Sequence, residues 1–356
     1  MDTREQKLNQ IIEEGRNNVV EAVNSIKEEF QKRVDVIAKP AVIDYEVTGQ
    51  NIHPLIKSEQ FNLTDHSESQ VFGRAEIPGA YIRKLLELGE TELVKTNLRT
   101  MTDRMMVNGV LIRRVGETIK GWLSPSYKRM DAAPIIESFI NRALKAGFVP
   151  YRGMNTDYRY HIAFILPQVF HPTENEWVAY GVSLITSDYG TSALDLSLLA
   201  LRLSCTNLHL GFDMFRRVHL GSRFQTDQDM IELSKKTLLL DSRTVASAVG
   251  DVTEKSIEQI RALDQVIRDA DQVEIGDAKK YFESFKKKGM KKEVLEKVKN
   301  MYDTAIDLEY LPPGQSLWRL SNVMSLVSQG MKKEDERIDL EKQSMAILIE
   351  GKGARA

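Results

Sequence analysis

The chain has 356 residues and 42% hydrophobic content, which is enough to bury a large core and excludes a chain that is disordered throughout. Its formal net charge of −2 gives no global signal for nucleic-acid binding, although segments of opposite charge can cancel in a total. The single cysteine, Cys205, excludes an internal disulfide framework, and no stretch has the length and apolarity of a signal peptide or a membrane span. We therefore expect a soluble, cytoplasmic protein with no membrane segment.

Residues 1–38 have the apolar spacing of one amphipathic helix, which includes Leu8, Ile12, Val19 and Ile26 and which Pro40 is expected to end. The pattern approximates a heptad seam. Two interpretations remain open: a helix packed on its own domain, or a helix that self-associates into a homo-oligomer. The predicted domains are the N-terminal helix at 1–38, an α+β core at 41–224 and a helical C-terminal region at 225–356.

The first part of the predicted core contains loops, helices and a hairpin. Residues 41–76 lack a clear period, and we expect loops and short strands there. Helices are predicted over 77–89, 91–105 and 132–146 from their apolar spacing and their terminal proline and glycine residues. The pair Gly116-Glu117 between 109–115 and 118–123 is typical of a hairpin turn.

The centre of the chain is dense in strand-forming residues. Runs at 157–167, 176–187 and 193–205 are rich in Val, Ile, Leu, Tyr and Phe and predict the core of a sheet. In the third run Leu194, Leu196 and Leu198 alternate, and the apolar phase then moves to Leu199, Leu201 and Leu203. Such a change of phase predicts a β-bulge in this strand.

The last third is predicted to be helical almost throughout. The predicted helices cover 227–249, 251–271, 277–288, 290–309, 316–330 and 332–349. Glycines and the run Pro312-Pro313-Gly314 separate several of them. The elements together predict an α+β fold: a helix-flanked, largely antiparallel sheet followed by a helical C-terminal third.

Basic residues cluster at the predicted hairpin and again after the long strands. If these segments lie on one side of the sheet, they form a positive groove in which arginines hold phosphates and aromatic rings stack on bases. The predicted nucleic-acid-binding residues are Arg113, Arg114, Lys120, Trp122, Tyr127, Lys128, Arg129, Arg216, Arg217 and Arg223. The alternative is that they are ordinary surface residues.

A second charge feature lies in the helical third. The segment 279–299 contains nine lysines and three acids, whereas 251–277 contains eight acids and three bases. The lysines could neutralise phosphates, with Tyr281, Phe282 and Phe285 stacking on bases. Alternatively, the aromatic residues are a buried stripe and the lysines a solvated face that pairs with the acidic segment.

Other chemistry finds little support. The histidines lack the spacing that places two imidazoles on one helix face, and the chain has no Walker-type or GxGxxG phosphate loop and no GxSxG motif. Asp188 is interpreted as a turn residue and Cys205 as a small buried residue at a strand end. No cofactor, metal site or catalytic residue is predicted, and a metal-dependent nuclease remains only a third class without a site.

Several motifs occur in the order found in one protein family: IPGAYIRKLLE at 77–87, WLSPSYKRMD at 122–131, SDYGTSALDLSLLALRLSCTN at 187–207, FRRVHLGSRF at 215–224 and QSLWRLSNVMSLV at 315–327. This pattern resembles the uncharacterised phage/plasmid-like protein family found on phages, prophages and plasmids, over roughly residues 70–350. Leu208 departs from it, because a glycine is expected there. The resemblance implies a mobile-element origin and a cytoplasmic site of action, and it brings no established activity.

Two function hypotheses follow. The favoured one is a nucleic-acid-binding protein of phage or plasmid DNA metabolism that binds or anneals single-stranded DNA. The alternative is a non-enzymatic structural or interaction protein, which forms a homo-oligomer through 1–38 or binds a host protein.

Overall fold

The fold is α+β, with largely antiparallel strands in three sheets and a helical C-terminal region. The computed structural model describes residues 3–127, 130–174, 176–217, 235–275, 278–304 and 311–353. Its helices are α1 (Thr3–Lys32), α2 (Asp65–Arg74), α3 (Gly79–Glu87), α4 (Thr91–Met105), α5 (Ala132–Lys145), α6 (Lys235–Glu254), α7 (Ser256–Asp271), α8 (Lys279–Lys287), α9 (Lys292–Thr304), α10 (Leu317–Gln329) and α11 (Glu334–Gly353). Its strands are β1 (Arg33–Ala38), β2 (Ile43–Thr48), β3 (Asn51–Ile56), β4 (Glu59–Gln60), β5 (Asn62–Leu63), β6 (Val110–Val115), β7 (Thr118–Leu123), β8 (Val149–Asn155), β9 (Tyr160–Ile165), β10 (Val178–Thr186), β11 (Leu194–Arg202) and β12 (Asn207–Arg217).

The protein has a smaller and a larger hydrophobic core, and two of the three sheets pack on the smaller one. The first has the order β1-β6-β7-β5, in which β5 and β7 are parallel and the other pairs antiparallel, and the second has the order β2-β3-β4. Helices α2, α3 and α4 bury apolar side chains such as Val71, Ile82 and Leu98 against these strands. Because that core includes Ile112 and Trp122, the predicted hairpin is part of it.

The larger core surrounds the third sheet, which is antiparallel with the order β12-β11-β10-β9-β8. On one face, Phe139 of α5 packs edge-on against Phe164, with ring centroids 5.7 Å apart, and Tyr180 donates a hydrogen bond to Asp264 of α7 at 2.8 Å. Helix α11 crosses the other face, where Ile338 packs among residues of β9, β10 and β11. Since both faces are covered, the strands are apolar on both sides.

The two-sided burial of this sheet corrects the prediction of a bulge in β11. Leu194, Leu196 and Leu198 lie on one face of the third sheet and Leu199 and Leu201 on the other, so all of them alternate regularly. Strand β11 also pairs with β10 without a break in register. The register shifts lie between β11 and β12. Leu196 pairs with Phe215 but Ser197 with Asp213, and Leu198 pairs with Phe212 but Leu199 with Leu210. One residue of β12 is skipped at each shift, so the extra residues belong to β12.

Helix α1 is shorter than the predicted helix at 1–38, and it agrees with the interpretation of a helix packed on its own domain. It ends at Lys32, and 33–38 form β1, which pairs with β6. Its apolar side lies along β8, where an added Cβ at Gly15 would lie 2.4 Å from the carbonyl oxygen of Tyr151. The helix is therefore packed on its own chain, and its seam does not offer a free face for self-association.

The helices at 77–89, 91–105 and 132–146 and the hairpin are confirmed to within two residues, with Gly116 at a positive φ of 60° in the turn. Helix α2 was missed. Its start is marked by Thr64, whose side chain accepts a hydrogen bond from Ser67 N at 3.2 Å while Thr64 N donates to Ser67 Oγ at 2.9 Å. The C-terminal helices are confirmed where described, except that α6 continues through the predicted boundary at 250 to Glu254. The predicted segments 227–234 and 305–309 and residue 277 lie outside the described residues.

Two buried histidines lie in the third sheet, and one of them, His209, links it to two helices. His209 Nδ1 lies 3.0 Å from Ser344 Oγ of α11 and 2.9 Å from Ser321 Oγ of α10, and His161 Nε2 lies 2.9 Å from Ser183 Oγ of β10. Burial lowers the pKa of His209 to about 3, and burial together with nearby arginines lowers that of His161 well below its usual range. Both are therefore neutral in the folded protein, and they act as parts of the core.

The tight contact between α1 and β8 predicts a packing defect. A Cβ at Gly153 would lie 2.6 Å from backbone atoms of Asn18 and Val19, so Gly153→Ala is expected to lower the free energy of unfolding by about 1–3 kcal/mol. The control is Gly73→Ala on α2, where nothing lies near the added carbon and where alanine favours a helix by about 0.5–1 kcal/mol. Urea unfolding compares the two, and an unchanged Gly153→Ala protein would contradict the packing.

The neutral histidines predict a loss of stability in mild acid. Their folded pKa values lie below the unfolded value of 6.5. Their contribution to the free energy of unfolding is therefore complete above that pH and is lost as the pH decreases below it. The slope is expected to approach about 1.4 kcal/mol per pH unit for each histidine. Urea unfolding between about pH 7 and pH 5.5 measures it. His209→Gln should reduce the slope, and an identical slope in that variant would contradict the assignment.

Candidate functional site

A buried cluster of five charged side chains joins the two cores, and we call it the ion network. It consists of Arg33 and Asp35 of β1, Arg113 of β6, Asp131 immediately before α5 and Asp188 after β10. Its members are separated by up to about 155 positions in the chain, and tertiary folding alone brings them together. With two guanidinium groups and three carboxylates in their usual states, its formal charge is −1.

Five of the six guanidinium nitrogens of the network donate hydrogen bonds within it. Arg113 Nε and Nη2 donate to the two oxygens of Asp35 at 2.9 Å each, and its Nη1 donates to the Asp188 carbonyl oxygen at 2.9 Å. Arg33 Nη1 donates to Asp188 Oδ2 at 2.6 Å, and its Nη2 bonds Asp131. The bidentate Arg113–Asp35 pair has the geometry that is strongest between these two groups.

The electrostatic environment keeps the network charged. Burial alone lowers the pKa of Arg113, but the carboxylates of Asp188, Asp35 and Asp131 outweigh it, so the pKa is raised. Burial raises the pKa of Asp188, and the opposing charges of Arg33 and Arg113 limit that rise. Asp188 Oδ1 also accepts a hydrogen bond from the backbone of α5 at 2.9 Å. The network therefore acts as a structural clamp between β1, β6, α5 and the end of β10.

The predicted groove is wrong in placing Arg113 and Trp122 at a surface, because both side chains are 0% exposed. Arg113 is used by the ion network, and Trp122 lies in the smaller core with its Nε1 directed at the Met106 sulfur at 3.4 Å. Neither side chain is accessible to a nucleic acid. The sequence shows the basic residues of the hairpin, but it does not show that Asp35, Asp131 and Asp188 surround Arg113.

The other predicted groove residues that the structure describes do not converge on one surface. Lys120 reaches Glu29 of α1 at 2.7 Å and is mostly buried, while Arg114 lies over the Phe61 ring at 5.2 Å from its centroid. Tyr127 is close to the ion network, and burial raises its pKa. Arg216 and Arg217 end β12, but their side chains lie outside the described residues, as do all atoms of Lys128, Arg129 and Arg223.

A cleft of about 430 Å³ lies between α2, the end of β7 and the loop that follows β10. Its lining residues are Gln70, Gly73, Arg74, Trp122, Leu123, Tyr127, Gly190, Thr191, Ser192 and Ala193. Gln70 is held in place from both sides, because its Nε2 donates to Tyr189 O at 2.8 Å and its Oε1 accepts from Trp122 N at 2.7 Å. The cleft is thus built on elements that hydrogen bonds fix in position.

The exposed lysines of α8, α9 and their connection form a third feature, which we call the lysine surface. Its members are Lys279, Lys280, Lys286, Lys287, Lys288, Lys291, Lys292 and Lys297. Beneath them Phe282 and Phe285 are buried, with ring centroids 6.3 Å apart. Phe282 and Phe285 are therefore core, as the alternative predicted, whereas Tyr281 is only half-buried, with the Lys280 ammonium 5.2 Å from its ring centroid. The lysines of this surface are exposed to solvent.

The ion pairs of this surface differ from those predicted with 251–277. Lys288 pairs with Glu350 at 2.6 Å and Lys291 with Glu336 at 2.7 Å, and both acids belong to α11. These pairs are exposed and contribute little to stability. They anchor two lysines and leave most of the lysine surface directed into solvent.

Within the part of the chain that the structure describes, no group of three His, Cys, Asp or Glu side chains is arranged to hold a metal ion. No helix there is both long and apolar enough to cross a membrane. Cys205 is buried, as predicted. Comparison of the chain with protein-family models, with curated proteins and with solved structures gives no significant match.

The ion network predicts very different effects for two adjacent arginines of the hairpin. Arg113→Gln leaves buried carboxylates without their partner, and we expect it to lower the free energy of unfolding by about 3–5 kcal/mol. Arg114→Gln removes a partly exposed side chain, and we expect a change within about 0.5 kcal/mol. Urea unfolding measures both, and equal effects of the two variants would contradict the structural role of Arg113.

Proposed function

We propose that the chain is a nucleic-acid-binding protein that acts in the cytoplasm in phage or plasmid DNA metabolism, with single-stranded DNA as the favoured ligand. The lysine surface carries this proposal. Ammonium groups at this density neutralise phosphates and release counterions, which is the main source of sequence-independent affinity. The order of motifs that resembles the phage/plasmid-like family supports the setting.

The geometry of α8 and α9 supports the orientation of the lysines. Phe282 and Phe285 hold α8 against the larger core, and Leu295 and Val298 do the same for α9. Because these side chains occupy the inner faces, the lysines between them lie on the outer faces. Lys286 and Lys287 end α8 and Lys292 begins α9, so the cationic side chains are concentrated where the two helices meet.

The burial of the aromatic side chains determines the mode of binding that we propose. Phe282 and Phe285 do not reach the surface, so base stacking on them is excluded in this arrangement. Phosphate contacts position a strand without reading its sequence. The proposed binding is therefore sensitive to salt and nearly indifferent to sequence, in contrast to the arginine groove with stacked bases.

The alternative function, a structural protein that forms a homo-oligomer through its first helix, has less support. The apolar seam of α1 lies on β8 of the same chain. Its exposed apolar positions are scattered, with Val20 at 59% and Phe30 at 40% exposure. Scattered exposed apolar residues are usual on monomeric proteins. Failure of the wild-type chain to bind nucleic acid would favour an interaction with another protein instead.

The lysine surface predicts a change in the salt dependence of binding. The variant Lys286→Gln/Lys287→Gln/Lys292→Gln is expected to bind a single-stranded oligonucleotide more weakly for every sequence. The slope of log K against log salt should decrease by about 0.7 for each phosphate that the variant no longer neutralises, or about 2 in total. Fluorescence anisotropy across a salt series measures this, with duplex DNA and single-stranded RNA as further ligands.

A charge-matched variant controls for the change in net charge. Lys32→Gln/Lys39→Gln/Lys57→Gln removes three exposed lysines from other elements. We expect it to keep most of the affinity and the slope. Equal losses in both variants, or a wild-type chain that binds none of the ligands at low salt, would contradict the proposal.

A further inference from the structure

The cleft beside α2 contains a half-buried arginine, Arg74, that pairs with no carboxylate of the described residues. Arg74 Nε donates to the Trp122 carbonyl oxygen at 3.0 Å, and Arg74 forms no ion pair with any described residue. Burial lowers the pKa of Arg74, and no neighbouring carboxylate opposes that shift. A guanidinium that is removed from water normally has an anionic partner.

Three more deeply buried arginines of the chain contrast with Arg74. Arg152 pairs with Glu341 at 2.7 Å, Arg202 pairs with Glu176 at 2.5 Å, and Arg113 lies within the ion network. Each of these buried guanidinium groups has a carboxylate within reach. Arg74 instead lines an open volume, so an anion from solution has room to approach it.

A second polar group among the residues that line the cleft lacks a partner. Ser192 Oγ is buried and makes no hydrogen bond, although a buried hydroxyl without a partner is costly. It lies two residues after Gly190, which has a positive φ of 80° and approaches Leu123 at the end of β7 closely. An added Cβ at Gly190 would lie 2.6 Å from Leu123 Cδ2. The loop thus carries an unused hydroxyl on a backbone shape that requires glycine.

We propose that this cleft binds a small organic anion, whose phosphate or carboxylate group pairs with Arg74. The volume of about 430 Å³ falls within the range of small-molecule sites. Leu123 and Ala193 provide apolar contact for the body of the ligand. The site uses none of the lysine surface and does not depend on the function proposed above.

Isothermal titration of the full chain with phenyl phosphate, benzoate and benzyl alcohol tests this site. We expect at least one of the two charged probes to bind about tenfold more tightly than the neutral alcohol, because the alcohol cannot form charge-assisted hydrogen bonds with Arg74. The tighter of the two charged probes identifies the anionic group. No binding of either charged probe would overturn the proposal.

Matched variants locate the binding. Arg74→Gln removes the charge, and Gly73→Leu places a side chain in the open space of the cleft while Arg74 is kept. Both are expected to weaken binding of the charged probe about tenfold or more, whereas Arg104→Gln, an exposed arginine of α4, should leave it unchanged. Gly73→Leu is a sound test even if Arg74→Gln disturbs folding, because nothing contacts that position.

The triple lysine variant separates this proposal from the previous one. Retention of probe binding by Lys286→Gln/Lys287→Gln/Lys292→Gln would support the cleft, whether or not that variant still binds nucleic acid. Loss of probe binding in that variant, or unchanged binding in both cleft variants, would place the anion elsewhere and overturn the proposal.

Discussion

The need to neutralise a fully buried guanidinium is the constraint on which the arrangement of the two cores depends. An uncompensated charge of this kind costs several kcal/mol or more, so Arg113 is stable inside the protein only with carboxylates around it. Asp35 comes from β1, Asp131 from the start of α5 and Asp188 from the end of β10. The requirement fixes these segments relative to β6. It also explains why the chain does not continue α1 beyond Lys32 and instead forms β1. In β1, paired with β6, Asp35 faces the Arg113 guanidinium.

This internal neutralisation changes the distribution of available positive charge. Arg113 and Lys120 are paired within the fold, through Asp35 and Glu29 respectively, and contribute little to the outer potential. The lysines of α8 and α9 remain in solvent, and Arg74 remains in the cleft. Two positively charged features of different kinds remain: the lysine surface, for which we propose a polymer of phosphates as ligand, and the cleft beside Arg74, for which we propose a small anion.

Local signals predicted the elements well, and tertiary contacts explain the errors. Helices α3 to α5 and the hairpin have turn and cap residues next to regular apolar spacing, so their bounds were predictable. Val34 and Ile37 continue the apolar pattern of α1, but pairing with β6 makes them a strand. The leucines of β11 have the sequence pattern of a bulge because apolar residues bury both faces of the strand. The cleft was not predictable, because the sequence does not show that Arg74 lies apart from every described carboxylate, and only the folded chain shows which acids are near it.

A double-mutant cycle between Arg113 and Asp35 tests the central claim most directly. Arg113→Gln, Asp35→Asn and the double variant would be compared with the wild type by urea unfolding. If the guanidinium and the carboxylate form the buried bidentate pair, their coupling energy should be about 1–3 kcal/mol, and the double variant should be less destabilised than the sum of the single ones. Additive effects, with a coupling energy within about 0.3 kcal/mol of zero, would show that Arg113 does not depend on Asp35 and would contradict the account.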